Sequence, residues 1–164
     1  YDVLDGPDGH DSAIRPNQVF ALSLQYSPVT SIDVMLSVLD ICEEHLLTPY
    51  GLRSLAPSDD DYVGCYQGDV VSRDGSYHQG SVWGWLLGHF AMAEFNVIDD
   101  PDAAQKRLDG MRQHLSQAGL GQISEIFDGD TPHEPKGAPA QAWSVACTLE
   151  AWWKLERAKL ARSQ

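Results

Sequence analysis

The chain has 164 residues, 43% of them hydrophobic, and a formal net charge of −13. The apolar content can fill the core of one domain, and five Trp, six Tyr and four Phe are typical of a folded rather than a disordered chain. The negative charge disfavours nucleic acid and anionic membrane surfaces as partners, because Lys and Arg supply the affinity for phosphate groups, and it suits a neutral ligand such as a sugar.

No apolar run reaches the roughly 18 residues that a membrane-spanning helix needs, and the N-terminus does not resemble a signal peptide. The three cysteines, Cys42, Cys65 and Cys147, are an odd number without metal-type spacing. They predict reduced thiols in a cytoplasmic protein. Because the chain begins at Tyr1 without an initiator Met, we expect it to be part of a longer protein.

A first helix is predicted over residues 16–26, which follow an acidic, Gly-containing loop and are apolar on almost every side. A second, amphipathic helix is predicted over residues 32–46, after the natural N-cap Ser31. Residues 47–79 form a long connection rich in Gly, Pro, Ser and Asp. Connections of that length are uncommon in compact domains unless they serve a function.

A third helix is predicted over residues 80–97, which present no polar face. Gly80, Gly84 and Gly88 fall four residues apart and so share one side of it. Glycine weakens a helix, so we expect a neighbouring segment or a ligand to approach closely on that side.

The fourth helix, predicted over residues 101–118, has a one-sided apolar stripe, and the fifth, over residues 139–161, is apolar all round in its first half. No strand pattern appears, so the sequence predicts an all-α fold. Short and long connections alternate, which places the long loops together at one end of the helices. We expect residues 1–164 to be a single domain, the C-terminal arc of about five helices from an (α/α)6 toroid or barrel.

The Gly-, Pro- and Asp-rich segment 121–137 holds most of the candidate chemistry. Its carboxylates belong to Glu125, Asp128, Asp130 and Glu134. Glu125 is our candidate for a general base, with Glu134 as the rival. The ordinary alternative for any acidic loop residue is simple solvation.

Three separate motifs resemble a known family. They read Asp-Ser-Ala-Ile-Arg-Pro-Asn-Gln at 11–18, Gly-Ser-Tyr-His-Gln-Gly-Ser-Val-Trp-Gly-Trp at 75–85, and Ser-Glu-Ile-Phe-Asp-Gly-Asp at 124–130 followed by Gln-Ala-Trp-Ser at 141–144. In this order they resemble the C-terminal region of glycogen debranching enzymes, and more closely the amylo-α-1,6-glucosidase domain of the bacterial and archaeal type.

The resemblance implies an (α/α)6 barrel that hydrolyses the α-1,6-linked glucosyl stub at glycogen branch points, with inversion and without a metal or organic cofactor. Glucoamylases share that barrel and carry a similar acidic motif whose Glu is the general base, which favours Glu125. The family's general acid is an Asp in an upstream Trp-Met-Asp type motif, which this sequence lacks. We therefore expect this chain to carry the base without the acid.

The expected partners are a branched α-glucan such as glycogen and the remainder of the same enzyme chain. An open arc of helices leaves apolar sides uncovered, so we also expect the isolated chain to self-associate.

The motifs also imply substrate contacts, each with an ordinary structural alternative. His78 and Gln79 offer paired donors and acceptors, and Trp83 a flat face for a sugar ring, whereas for Trp85 we favour a place in the core. The remaining candidates are Arg15, Asn17, Asp128, Gln141 and Trp143. Their alternatives are an ordinary loop salt bridge at Arg15 and Asn17, solvation for Asp128, and loop anchoring for Gln141 and Trp143.

Two other functions stay open at the level of the sequence. One is a related α/α-barrel glycosidase of the glucoamylase or trehalase type. The other is a non-catalytic helical carbohydrate-binding module, which would bind saccharide without needing Glu125.

Overall fold

The structure, a computed structural model, describes residues 2–163. It begins with an antiparallel hairpin of β1 (Val3–Gly6) and β2 (Gly9–Asp11), where the sequence predicted only a loop. A 3-10 helix (Pro16–Val19) runs directly into α1 (Phe20–Ser23), and together they occupy most of the first predicted helix. The second predicted helix is α2 (Ile32–His45), which ends within a residue of its expected boundary.

The long connection after α2 is not structureless. It contains β3 (Leu47–Thr48), β4 (Gly51–Arg53) and α3 (Val70–Ser76). The Asp69 side chain caps α3 by accepting a hydrogen bond from the backbone N–H of Ser72 at 2.9 Å.

The third predicted helix begins later than expected. Val82 and Trp83 form β5 (Val82–Trp83), and the helix itself is α4 (Trp85–Ile98). Gly80 therefore lies outside the helix, but Gly88 fulfils the expectation of a close approach. A Cβ added at Gly88 would collide with the backbone carbonyl of Cys147, so this glycine allows α4 and the C-terminal helix to pack tightly.

The fourth predicted helix is divided into α5 (Pro101–Lys106) and α6 (Asp109–His114). The backbone between them tightens, and the N–H groups of Arg107 and Leu108 bond three residues back rather than four. The chain continues through β6 (Ile126–Phe127) and β7 (Pro135–Lys136) to α7 (Ala142–Arg162), which corresponds to the fifth predicted helix.

The all-α prediction was therefore wrong in one respect: the fold is mostly helical but includes a small sheet. Strands β3 to β7 form a five-stranded antiparallel sheet in chain order. Trp83 lies between Leu52 of β4 and Ile126 of β6. These strands are two or three residues long, which is too short to show an alternation of apolar and polar residues. The sequence pattern therefore could not predict them.

Helix α4 lies at the centre of the molecule, where it packs against α1 and α2 and against α5 and α7. Its buried side chains are shared between two apolar clusters, with Phe90 in one and Leu87 in the other. The sheet belongs to the same core, because Leu52, Val82, Ile126 and Phe127 are all fully buried. The loops that carry the polar motifs are thus attached to a rigid base.

The outer side of α7 carries exposed apolar residues, namely Trp143, Leu149, Trp153 and Leu160. No helix within residues 2–163 is both long enough and apolar enough to cross a bilayer. The toroid arrangement itself remains a prediction.

Candidate active site

A cleft of about 700 Å³ opens where the start of the 3-10 helix, the end of β4 and the segment after α3 meet. Its lining residues are Asp2, Arg15, Pro16, Asn17, Ser54, Tyr77, His78, Gln79, Trp83, Trp85, Leu86 and Trp143. Most of the predicted substrate-binding residues are therefore brought together at one place. A cleft of this size can hold an oligosaccharide segment.

Arg15 connects three segments of the cleft wall. Its Nη1 donates hydrogen bonds to the carbonyl oxygens of Ser54 at 3.0 Å and His78 at 2.8 Å. Its Nη2 donates to Oε1 of Gln79 at 2.8 Å, and its Nε lies 3.4 Å from Oδ2 of Asp2. Because each guanidinium nitrogen has a partner and only one N–H, on Nη2, is left over, Arg15 mainly fixes the wall.

The inner end of the cleft is aromatic. The rings of His78 and Trp83 stack with centroids 5.0 Å apart and an angle of 2° between their planes. The Tyr77 ring meets Trp83 edge-on at 4.8 Å, and Nε1 of Trp83 donates to the Tyr77 carbonyl oxygen at 3.3 Å. Trp83 is only 5% exposed, so it supports the imidazole of His78, whose residue is exposed.

A second aromatic pair forms the opposite rim. Trp85 is half-buried, stacks on Phe20 at 5.5 Å and lies 5.6 Å from Trp143, which is 51% exposed. Core packing was expected for Trp85 and cleft exposure was considered for Trp83, yet Trp85 is the more accessible of the two. Indole faces of this kind pack well against the apolar faces of sugar rings.

Glu125 lies immediately behind Tyr77. The Tyr77 hydroxyl donates a short hydrogen bond to Oε1 of Glu125, and the backbone N–H of Ala138 donates to Oε2 at 2.8 Å. Glu125 directly precedes β6, whose Ile126 pairs with Trp83, so the sheet places this carboxylate beside the aromatic end of the cleft. Glu125 is partly exposed but does not itself line the cleft, because Tyr77 stands between them.

The Tyr77 hydroxyl is well suited to remain a donor. Burial and the hydrogen bond to Glu125 raise the pKa of Tyr77 far above that of an ordinary phenol. The phenol therefore stays protonated at any physiological pH. Although Tyr77 belongs to the second motif, the sequence did not single it out, because a tyrosine beside Trp and His is equally typical of a core.

A buried histidine supports the segment from behind. His114 is 1% exposed, and its Nε2 lies 3.3 Å from the backbone nitrogen of Ser124, from which it accepts a hydrogen bond, and 3.1 Å from the Ser124 hydroxyl. Burial lowers the pKa of His114, so the imidazole is neutral and can accept. The signal available in the sequence was its position three residues after Met111, on the apolar stripe of the fourth predicted helix.

Two other acidic candidates do not reach the cleft. Asp128 is buried, its Oδ1 accepts a hydrogen bond from the Tyr66 backbone N–H at 2.7 Å, and its Oδ2 lies 3.5 Å from Nζ of Lys136. Glu134 is exposed, and its backbone carbonyl accepts from the Asp128 N–H at 2.9 Å. Both positions serve the turn between β6 and β7.

Gln141 is the N-cap residue of α7, and its backbone N–H donates to the Ile123 carbonyl at 2.9 Å. It anchors the central loop to the helix that carries Trp143, and it is not among the residues that line the cleft.

Residues 2–163 contain neither a metal-ligand cluster nor a disulfide bond. No group of three or more His, Cys, Asp or Glu side chains there is arranged to hold a metal ion. Cys42, Cys65 and Cys147 are free, and burial raises the pKa of the Cys42 thiol to about 12. The cysteines are therefore separate from the chemistry of the cleft.

Comparison with known proteins agrees with the motifs. The family model described as amylo-alpha-1,6-glucosidase matches residues 1–150. The chain is also 29% identical over 174 residues to the glycogen debranching enzyme of Saccharomyces cerevisiae (strain ATCC 204508 / S288c). That alignment covers 92% of this chain but only 11% of the yeast protein. The resemblance expected from the three motifs is confirmed, and the chain belongs to the amylo-alpha-1,6-glucosidase family.

Proposed function

We propose that this chain supplies the general base, Glu125, of an inverting glycosidase that releases α-1,6-linked glucose from the branch points of glycogen or a similar α-glucan. Family membership and the name of the yeast relative support a glucan substrate. One observation supports the assignment to Glu125. Its carboxylate accepts hydrogen bonds from the Tyr77 hydroxyl and the Ala138 backbone N–H, beside a cleft lined by tryptophans.

A general base needs a fixed carboxylate that still has room for a water molecule. Each oxygen of Glu125 accepts one hydrogen bond from the protein, and each has a second lone pair that can receive a proton. Because the residue is partly exposed, a water molecule beside Tyr77 can reach that lone pair and face a sugar at the aromatic end of the cleft. Glu125 would take a proton from this water while the water oxygen attacks the anomeric carbon.

The cleft suits a neutral glucan. Trp85 and Trp143 offer indole faces at one rim, and polar side chains of Asn17 and Gln79 lie within reach of the same space. A sugar needs both kinds of surface, because its ring faces are apolar and its edge carries hydroxyls. We assign His78 and Trp83 to the inner end of the substrate site.

Inversion also requires a general acid about 6.5–9.5 Å from the base, with a water on the opposite face of the sugar. We assign this acid to the remainder of the enzyme, since the chain spans 11% of the length of its yeast relative. A closed (α/α)6 toroid would bring that carboxyl over the cleft, and a cytoplasmic location would accompany a glycogen substrate.

The test is the conservative variant Glu125→Gln in the full-length enzyme. Loss of the base should reduce glucose release from limit dextrin by at least about 100-fold, which is the ordinary size of a general-base contribution. The thermal unfolding midpoint should change little.

The matched control is Glu134→Gln, which alters the rival carboxylate on the exposed turn and should leave turnover near wild type. Near-normal turnover in Glu125→Gln would remove Glu125 from the role, and a large loss in Glu134→Gln alone would transfer it.

A further inference from the structure

We propose that Asp2 is a further substrate-contacting residue, and that it forms with Gln79 a hydroxyl clamp held in place by Arg15. The hydroxyl clamp, meaning the side chains of Asp2 and Gln79, would bind two neighbouring hydroxyls of one sugar unit. The identity of that sugar as glucose rests on the function proposed above, whereas the clamp itself is inferred from the geometry around Arg15.

Gln79 is oriented by Arg15. Nη2 of Arg15 donates to Oε1 of Gln79 at 2.8 Å, so the amide group turns its Nε2 away from the guanidinium. This Nε2 has no hydrogen-bond partner within residues 2–163, and it is not among the buried polar atoms that lack one. In a residue that lines the cleft, it is therefore a donor available to a ligand.

Asp2 offers the complementary acceptor. Its Oδ2 lies 3.4 Å from Nε of Arg15, its side chain is 25% exposed, and it lines the same cleft. Within the described residues its carboxylate has no other partner. The backbone N–H of Asp2 donates to the Asp11 carbonyl at 2.8 Å, which extends the β1–β2 hairpin and fixes the backbone of Asp2.

A carboxylate acceptor and an amide donor that both contact Arg15 would suit two neighbouring hydroxyls of one sugar. One hydroxyl donates to the Asp2 carboxylate, and its neighbour accepts from the Gln79 amide while keeping its own proton for water or another sugar. Arg15 balances the charge of Asp2, so a neutral sugar can bind beside it without leaving a carboxylate unpaired. A sugar phosphate would meet the Asp2 carboxylate and is disfavoured.

This arrangement makes Arg15 mainly a positioning residue. Its N–H groups face Ser54, His78, Gln79 and Asp2, and one N–H of Nη2 is left over. The substrate grip that the sequence suggested for Arg15 is thereby assigned to its two neighbours.

The experiment measures binding and not hydrolysis. The probe is a thio-linked α-1,6 disaccharide of glucose, which resists hydrolysis, and its Kd for the full-length enzyme is measured by calorimetry. Asp2→Asn and Gln79→Glu should each weaken binding about 10- to 100-fold, as expected when a hydrogen bond that involves a charged group is weakened or a donor is lost. Gln79→Glu retains an oxygen for Arg15, removes the Nε2 donor and adds a negative charge.

Asp8→Asn makes the same substitution as Asp2→Asn at the exposed turn of the same hairpin, outside the cleft, and should leave the Kd unchanged. The Kd is then measured for a set of monodeoxy versions of the probe, each of which lacks one hydroxyl. Together with the protein variants, these probes form a double-mutant cycle in which the second change is made to the ligand. Removal of the hydroxyl bound by Asp2 should weaken binding to wild type but cause no additional loss in Asp2→Asn. A purely structural role for Asp2 would make the two losses multiply.

The two proposals fail separately. Unchanged Kd values in both clamp variants, or multiplying losses at every deoxy position, overturn the clamp even if Glu125→Gln abolishes hydrolysis. If Glu125→Gln retains hydrolysis while the clamp variants still weaken binding, the base assignment fails and the clamp stands. If the unfolding midpoint of one clamp variant drops sharply, the Kd cycle is measured with the other clamp variant. Either variant alone is enough to test the clamp.

Discussion

Tyr77 links the cleft to the carboxylate behind it. Its ring packs against His78 at 4.9 Å and Trp83 at 4.8 Å, while its hydroxyl donates to Glu125. One side chain therefore aligns the surface that would meet the sugar with the group that would activate water. Neither composition nor periodicity indicates such a role, since it depends on contacts between residues 48 positions apart.

Tyr77→Phe tests this link in the full-length enzyme. The variant keeps the ring in place and removes only the donor to Glu125. A hydrogen bond to a charged group contributes about 1.5–3 kcal/mol, so kcat for glucose release from limit dextrin should fall roughly 10- to 100-fold, with a smaller change in KM.

Tyr62→Phe provides the comparison, because Tyr62 donates to a carboxylate oxygen of Asp130 at 3.0 Å outside the cleft. This variant should retain wild-type kcat. Equal activity in both variants would show that the orientation of Glu125 does not depend on Tyr77.

At the scale of single residues, the sequence predicted the membership of the cleft better than the role of each member. Arg15, Asn17, His78, Gln79, Trp83 and Trp143 all line it. The bonding of Arg15 could not be foreseen, because its partners Ser54 and Gln79 come from distant segments. Asp128 was expected to contact substrate but does not line the cleft. Its carboxylate instead forms a salt bridge with Lys136 at the β6–β7 turn.

At the scale of elements, α6 supports the loop that carries Glu125. His114, the last residue of α6, accepts a hydrogen bond from the backbone of Ser124, next to the candidate base. This contact requires a neutral imidazole, because a doubly protonated ring has no acceptor nitrogen. The helix and the loop are therefore coupled through a group that can titrate.

Stability should consequently fall on mild acidification. Burial lowers the pKa of His114 in the folded chain, so the unfolded chain binds the proton first as the pH drops below about 6.5. The stabilisation is complete above that pH and is lost as the pH falls towards the lowered value, with a slope of at most about 1.4 kcal/mol per pH unit. Urea unfolding at several pH values between 7.5 and 5.5 measures it.

In His114→Gln the pH dependence should be shallower than in wild type, because the variant cannot take up that proton. It should not vanish, since burial also lowers the pKa of His89 and adds a contribution of the same sign. An unchanged slope in His114→Gln would contradict the coupling.

Elements were predictable where packing and local preference agree. The long helices α2 and α7 have apolar and polar patterns that a single sequence displays, and their bounds lie within a few residues of those expected. Val82 and Trp83 were assigned to a helix because they continue an apolar run. Their place in the sheet is decided by pairing with β4 and β6, which is a tertiary effect.

At the scale of the whole molecule, the chain holds a candidate base and a candidate substrate cleft without the expected acid. We therefore expect the purified 164-residue chain to release no glucose from limit dextrin. The full-length enzyme, assayed at equal molar amount, provides the reference. Glucose release by the chain alone that disappears in Glu125→Gln would show that both catalytic groups lie within it.

The five-stranded sheet has a consequence for how this domain can diverge. Its short strands place Trp83 opposite Ile126, the residue that follows Glu125, through main-chain pairing that depends little on the identity of the side chains. The hairpin turns and the stretch from residue 54 to residue 69 lie outside that ladder. Homologues can therefore lengthen or shorten these excursions and exchange most of their residues, while the spacing between aromatic wall and carboxylate stays constant.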